Sequence, residues 1–145
     1  MGSGGTECLR QRIGGVCLDF LARVKDYLAA NIELNAPITT PILSVDSSSI
    51  AIRQTPSSIN SRYVEGKITN FSFQVLVKDT SHVKAYNTIQ AVFKALDGLP
   101  KGSITSYDGS FSFIKCECTT LPNFVEKTDK NEYIYTAIFQ SELEV

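Results

Sequence analysis

Gly66-Lys67-Ile68-Thr69-Asn70-Phe71-Ser72-Phe73-Gln74-Val75-Leu76-Val77-Lys78 decides the fold. Phe71, Phe73, Val75 and Val77 alternate with Asn70, Ser72, Gln74 and Lys78, and only Leu76 breaks the pattern. Successive side chains on a strand point to opposite faces, so this spacing predicts a strand with one dry and one wet face. That is the signature of an antiparallel sheet covered on a single side.

Downstream, Asp79-Thr80-Ser81 offers three candidate N-caps, and Val83, Tyr86, Ile89, Phe93 and Leu96 follow at helical spacing. Gly98 and Pro100 end that helix. Tyr107-Asp108-Gly109-Ser110 reads as a hairpin turn, which sets Phe111 and Phe113 on one face. Leu121 to Asn131 reads as a long polar connection. A last strand alternates Tyr133, Tyr135, Ala137, Phe139, Ser141 and Leu143 with Thr136, Gln140, Glu142 and Glu144.

Upstream, Leu9, Ile13, Val16, Cys17, Phe20, Leu21, Val24 and Leu28 form a helical stripe. It predicts a helix from Leu9, or from beyond Gly14-Gly15, since each glycine costs about 1 kcal/mol of helix stability relative to Ala. Asn35, Pro37 and Pro41 stop it near Asn31. Ile42 to Val45 and Ser49 to Arg53 read as short strands about a turn at Asp46-Ser47-Ser48. Gln54 to Gly66, rich in Ser and Asn, has no usable period and reads as a second long loop. The expected fold is α+β: a mainly antiparallel β-sheet with two helices packed on one side. Residues 1–8 read as a flexible leader and 9–145 as a single domain.

The 145 residues carry 14 Lys and Arg against 15 Asp and Glu, a net charge of −1, which excludes a sequence-wide field for phosphate backbones. No membrane span or secretory segment is expected, because Asp19 and Arg23 interrupt the most apolar stretch; a soluble protein made in a cytoplasm follows. Asn70-Phe71-Ser72 matches a glycosylation sequon by chance, inside a strand. On the expected first helix Cys8 and Cys17 lie on opposite faces; Cys116 and Cys118 share a strand face at a spacing poor for a disulfide. With one histidine, His82, no metal quartet is expected, and neither catalytic nor cofactor-binding residues are assigned. Phosphate loops, nucleophile elbows and calcium loops are absent from the sequence.

Arg53, Arg62 and Lys67 bracket the first loop, with Tyr63 among them. Arg and Tyr are enriched at interface hot spots, which makes these residues candidates for protein contact. The competing reading is a small cytoplasmic ligand-binding module or an enzyme, which requires a concave apolar pocket with convergent polar groups, such as one holding His82 and a carboxylate.

Several strings occur together: Ser49-Ile50-Ala51-Ile52-Arg53-Gln54-Thr55-Pro56, the strand Phe71 to Val77, Leu96-Asp97, Leu121-Pro122-Asn123-Phe124-Val125-Glu126, and Tyr133-Ile134-Tyr135. In that order they resemble the minor capsid, or tail terminator, proteins of long-tailed phages of Gram-positive bacteria, over roughly Tyr27 to the C-terminus. The leader before Leu9 and the cysteines at 116 and 118 lie outside the family's pattern. The resemblance implies a non-enzymatic virion protein that forms a six-membered ring on the tail tube, halts tube growth and meets the head connector. Its partners would be further copies of itself, the tail tube protein and the head-completion protein, with neither membrane nor sequence-specific nucleic acid. Heterologous contacts around a ring need two different surfaces on each subunit. The two long loops are the candidates, with Arg53, Arg62, Tyr63, Glu65, Phe124 and Glu126 as contact residues.

Overall fold

The computed structural model describes residues 11–144 apart from 14, 15, 19, 41, 56, 57, 64, 65, 108 and 110, with side chains from Phe20 onward outside 56–67. The expected strand is there: β6 spans Gly66–Asp79, and Phe71, Phe73, Val75 and Val77 are fully buried. It lies at the centre of the sheet. On one flank β8 (Tyr133–Glu144) pairs antiparallel along nearly its whole length, from Ile68↔Glu144 to Asp79↔Tyr133. Val77↔Tyr135, Val75↔Ala137 and Phe73↔Phe139 therefore bring like faces together. The outer strand on that side is β7 (Ser112–Lys127), antiparallel to β8.

The other flank of β6 is shared. β4 (Ser49–Gln54) pairs with its C-terminal half, Ser49↔Lys78 to Gln54↔Phe73. β5 (Ser58–Tyr63) pairs with its N-terminal half, Ser58↔Asn70 to Tyr63↔Gly66, with a register shift between Ile59 and Ser61. A two-residue strand, β3 (Ile38–Thr39), adds the one parallel pair among the described residues, against β4. The sheet order is β3-β4-β6-β8-β7, with β5 beside β6.

Both helices lie over the face formed by Phe71, Phe73, Val75 and Val77. The first, α1 (Phe20–Asn31), buries Phe20, Leu21, Val24 and Leu28. The second, α2 (His82–Leu96), is capped by Ser81, whose side chain accepts from the Lys84 N–H, and buries Ala85, Thr88, Ile89, Val92 and Leu96. Gly98, at φ 79°, takes the chain out of α2 in the left-handed region that glycine occupies most easily. The core is one cluster holding Phe20, Phe71, Phe73 and Phe139, extended by Phe111 and Phe113, which share a face as expected. Helices on one side of a mainly antiparallel sheet make this an α+β fold.

Five expectations are corrected. The stretch before Phe20 is an antiparallel pair, β1 (Gln11–Ile13) with β2 (Val16–Leu18), because two short triplets about Gly14-Gly15 suit a turn better than a helix. The opposite-face argument for Cys17 falls with that helix, and Cys8 lies outside the described residues. Ile42 to Val45 forms no strand; its backbone is held by side chains, as in Ser44 N–H to Ser49 Oγ at 2.9 Å. The expected loop at 54–66 contains β5. The expected connection at 121–131 is strand as far as Lys127. Finally, α2 is rotated from the expected stripe: Val83 and Tyr86 are exposed, and Ala85 and Thr88 face inward.

Candidate functional site

Both stretches expected to be loops lie on the outer strands of the sheet. β5 sits level with the Ile68–Asn70 end of β6, and the second half of β7 sits level with the opposite end, near Asp79 and Tyr133. Arg62 and Tyr63 belong to β5, while Glu65 lies outside the described residues. Arg53, at the end of β4, is exposed on the wet face and donates from Nε to Gln74 Oε1 at 2.8 Å; Gln74 Nε2 in turn donates to Thr136 Oγ1. Phe124 and Glu126 are exposed on β7. The five described candidates thus divide between two opposite margins of the sheet.

Around Phe124 the structure assembles a group of residues that sequence reading left scattered. The Phe124 ring stands 5.6 Å from that of Tyr135, its cross-strand partner. Tyr86 approaches Tyr135 from α2 at 5.8 Å, and His82 lies 5.1 Å from Tyr133 and hydrogen-bonds the Tyr135 hydroxyl. Lys127 lies over the Tyr133 ring at 5.4 Å. Tyr135 is buried, but Val83, Tyr86 and Phe124 are 63%, 45% and 50% exposed. Exposed aromatic side chains on rigid elements offer contact area at low entropic cost, the composition of interface anchors. The sequence carried no such signal, since Val83 and Tyr86 fit the helical spacing of Ile89 and Leu96 and only their exposure in the structure sets them apart.

A polar clasp fixes the same end of the sheet. Asp79 accepts from Asn35 Nδ2 at 3.0 Å, Ser48 Oγ at 2.9 Å and the Ser81 N–H at 2.8 Å. Burial opposes its ionisation, but the Asn35, Ser81 and Ser48 hydrogen bonds and the Lys84 charge outweigh it, and its carboxyl is held below the usual value. Lys78 donates to the Ser44 carbonyl at 2.8 Å and lies 4.0 Å from Glu132. Glu132 is lowered by its hydrogen bond from Thr128, against desolvation, and by Lys78. These bonds tie the Ile42–Ser48 segment and the β7–β8 turn to the end of β6.

The cysteines carry no such arrangement. Cys116 is buried and its thiol is pushed up to about 12 by desolvation; Cys118 is also raised by burial, and both are free. Among the described residues there is no cluster of three or more His, Cys, Asp or Glu able to hold a metal ion, and no helix long and apolar enough to cross a membrane. A groove of about 520 Å³ runs between α2 and the segment after α1, lined by Glu33, Leu34, Asn35, Lys84 and Asn87 among others. It is open and of mixed lining, and His82 is not part of its wall.

Residues 43–145 match the family model described as bacteriophage tail terminator protein, and the chain belongs to that family. The match takes in β4 to β8 and α2, with every element just described around Phe124. Among solved structures the fold is similar to a chain of the virion of a native gene transfer agent particle. The TM-score is 0.60 at 15% identity, with 86% of this chain and 93% of that chain covered. No curated protein sequence matches. The protein is therefore a structural component of phage tails, with a virion protein as its counterpart in fold.

Proposed function

We propose that this chain is a tail terminator in the narrow sense. Copies of it form a six-membered ring on the head-proximal end of the tail tube, stop tube polymerisation and present the surface that joins the head. The protein is non-enzymatic, sits at the neck of the virion and is assembled in the cytoplasm of a Gram-positive host, as its sequence resemblance implies. Its partners are its own copies, the tail tube protein and the head-completion protein. The observation that carries this reading is the family match across residues 43–145. Two different assembly margins on one subunit support it, since a closed heterologous ring needs them.

The test is sedimentation velocity over a concentration series, with negative-stain imaging, alone and with polymerising tail-tube protein. The reading expects six-fold rings, or monomers that become rings on the tubes, and tubes that stop lengthening when the chain is added. Monomers that neither ring nor change tube length would overturn it.

A further inference from the structure

The sheet has two outer edges, and each is closed over one half. On the β7 side, the segment after α2 seals the first half. Gly98 N–H donates to the Cys116 carbonyl at 2.8 Å, Gly102 N–H to the Phe113 carbonyl at 3.1 Å, and Cys118 N–H to Asp97 Oδ1 at 2.9 Å. Isolated bridges Leu99↔Cys116 and Thr105↔Ser112 complete the seal. Beyond Cys118 it stops: among the described residues no strand pairs with the outer side of β7 from Thr119 to Lys127. On the opposite side, β3 closes the outer side of β4, while among the described residues β5 pairs only with β6.

The two open halves are diagonal. Asn123 lies level with Thr136, hence with Leu76, eight residues along β6 from Ile68, the partner of Ser61. At about 3.3 Å per residue that is an offset of roughly 26 Å. β5 runs opposite to β6 and β7 runs with it, so β5 of one copy laid beside β7 of the next continues an antiparallel order. Unpaired strand edges are templates for such pairing. The stagger also suits a closed sheet, whose strands must tilt relative to the ring axis. Four strand spacings of about 4.8 Å against that offset give a tilt of roughly 54°, steeper than the 35–45° of closed barrels.

We propose that copies of this chain join edge to edge, the open half of β7 (Thr119–Lys127) on one copy pairing antiparallel with β5 (Ser58–Tyr63) of the next, so that one sheet runs between subunits. This rests on the ring reading above and names its contact. Main-chain hydrogen bonds carry the join, while Phe124 and Tyr86 form a shelf for alternate side chains of the incoming strand. Pro122 withholds one donor, and the Asn123 side chain already bonds the Leu121 carbonyl, so the ladder runs mainly over Asn123 to Lys127. An edge that is short and irregular pairs on a pre-aligned template and resists indiscriminate pairing.

Hydrogen exchange on the unmodified protein, free and assembled on tail tubes, tests this directly. The expected result is at least tenfold slower exchange on assembly within 58–63 and 123–127, with little change inside β6 and β8. In a Cys8→Ser, Cys17→Ser, Cys118→Ser background, Ser61→Cys protein mixed with Val125→Cys protein, assembled on the tubes and treated with a bismaleimide, should give covalent dimers that neither yields alone. Dimers from Ser61→Cys alone would mean a twofold join and overturn the proposal. So would rings with protection elsewhere and no cross-link, which leave the ring reading standing. A chain that stays monomeric on tubes overturns both.

Discussion

Two aromatic groups sit on the same face of the same sheet, at opposite ends, and only one of them is finished. At the Ile68 end, Phe20 comes down from α1 into ring contact with Phe71, Phe73, Phe111 and Phe113 at 5.0–6.3 Å, and all five are buried. At the Tyr133 end, Tyr135 is ringed by His82, Tyr86 and Phe124 at 5.6–5.8 Å, and α2 leaves that group half open along the unpaired margin of β7. Contact distances are alike, though the first group is all Phe and the second mixes Tyr, His and Phe; what differs most is whether a helix closes over the top. The first group is spent inside the subunit, and the second leaves part of its aromatic area exposed.

The contrast breaks most visibly at Phe20. Phe20→Ala removes the central ring of a dry cluster and should cost about 4 kcal/mol, because transfer and cavity losses add. Calorimetry should record a melting point lower by at least 10 °C. Next in size is Asp79→Ala, which strips the clasp at the open end of its acceptor and should cost on the order of 2–3 kcal/mol in urea titration, through unpaired donors on Asn35, Ser48 and Ser81.

That clasp also predicts a pH dependence. Asp79 and Glu132 both have folded values lowered from the usual ones, so their stabilisation is complete above about pH 5 and is lost as the pH falls through the folded values. Urea midpoints should therefore decline from about pH 4.5 downward, and less steeply in Asp79→Asn. Smaller again is Tyr135→Phe, which deletes the hydroxyl bonded to His82 and should cost about 1 kcal/mol. Phe124→Ala should change stability least, by under about 1 kcal/mol, because the ring is half exposed already. It should nevertheless weaken assembly on tubes, and equal assembly by this variant and wild type in a tube-capping titration would erase the distinction between the two groups.

The same contrast governs what the sequence could reveal. β6 and β8 were legible because one face of each is buried, and burial writes a period of two into the residues. β5 and the second half of β7 were not. Both are outer strands interrupted by register shifts, at Ile59/Ser61 and at Thr120/Asn123 and Phe124/Glu126, and the exposed run Thr119 to Lys127 carries little alternation of burial. Val83 and Tyr86 misphased α2 for a related reason: they are apolar without being core. Arg62 and Tyr63 were named for their residue type and Phe124 through the resemblance, and Phe124 stands beside Tyr135 in the open cluster. Its companions His82, Tyr86 and Tyr133 come together only through pairing across 53 or fewer positions of sequence, which local spacing does not encode.

β7 needs 16 residues to travel beside the 12 of β8, from Ser112↔Glu144 to Lys127↔Tyr133. Each register shift inserts surplus chain on the outside of the pair, and the four together amount to roughly 13 Å of additional path at about 3.3 Å per residue. An outer lane longer than the inner one forces a bend, so the sheet coils hardest along this margin. Curvature in this protein is thus a matter of residue count: removing one surplus residue from β7 would straighten the lane and re-aim everything mounted on it.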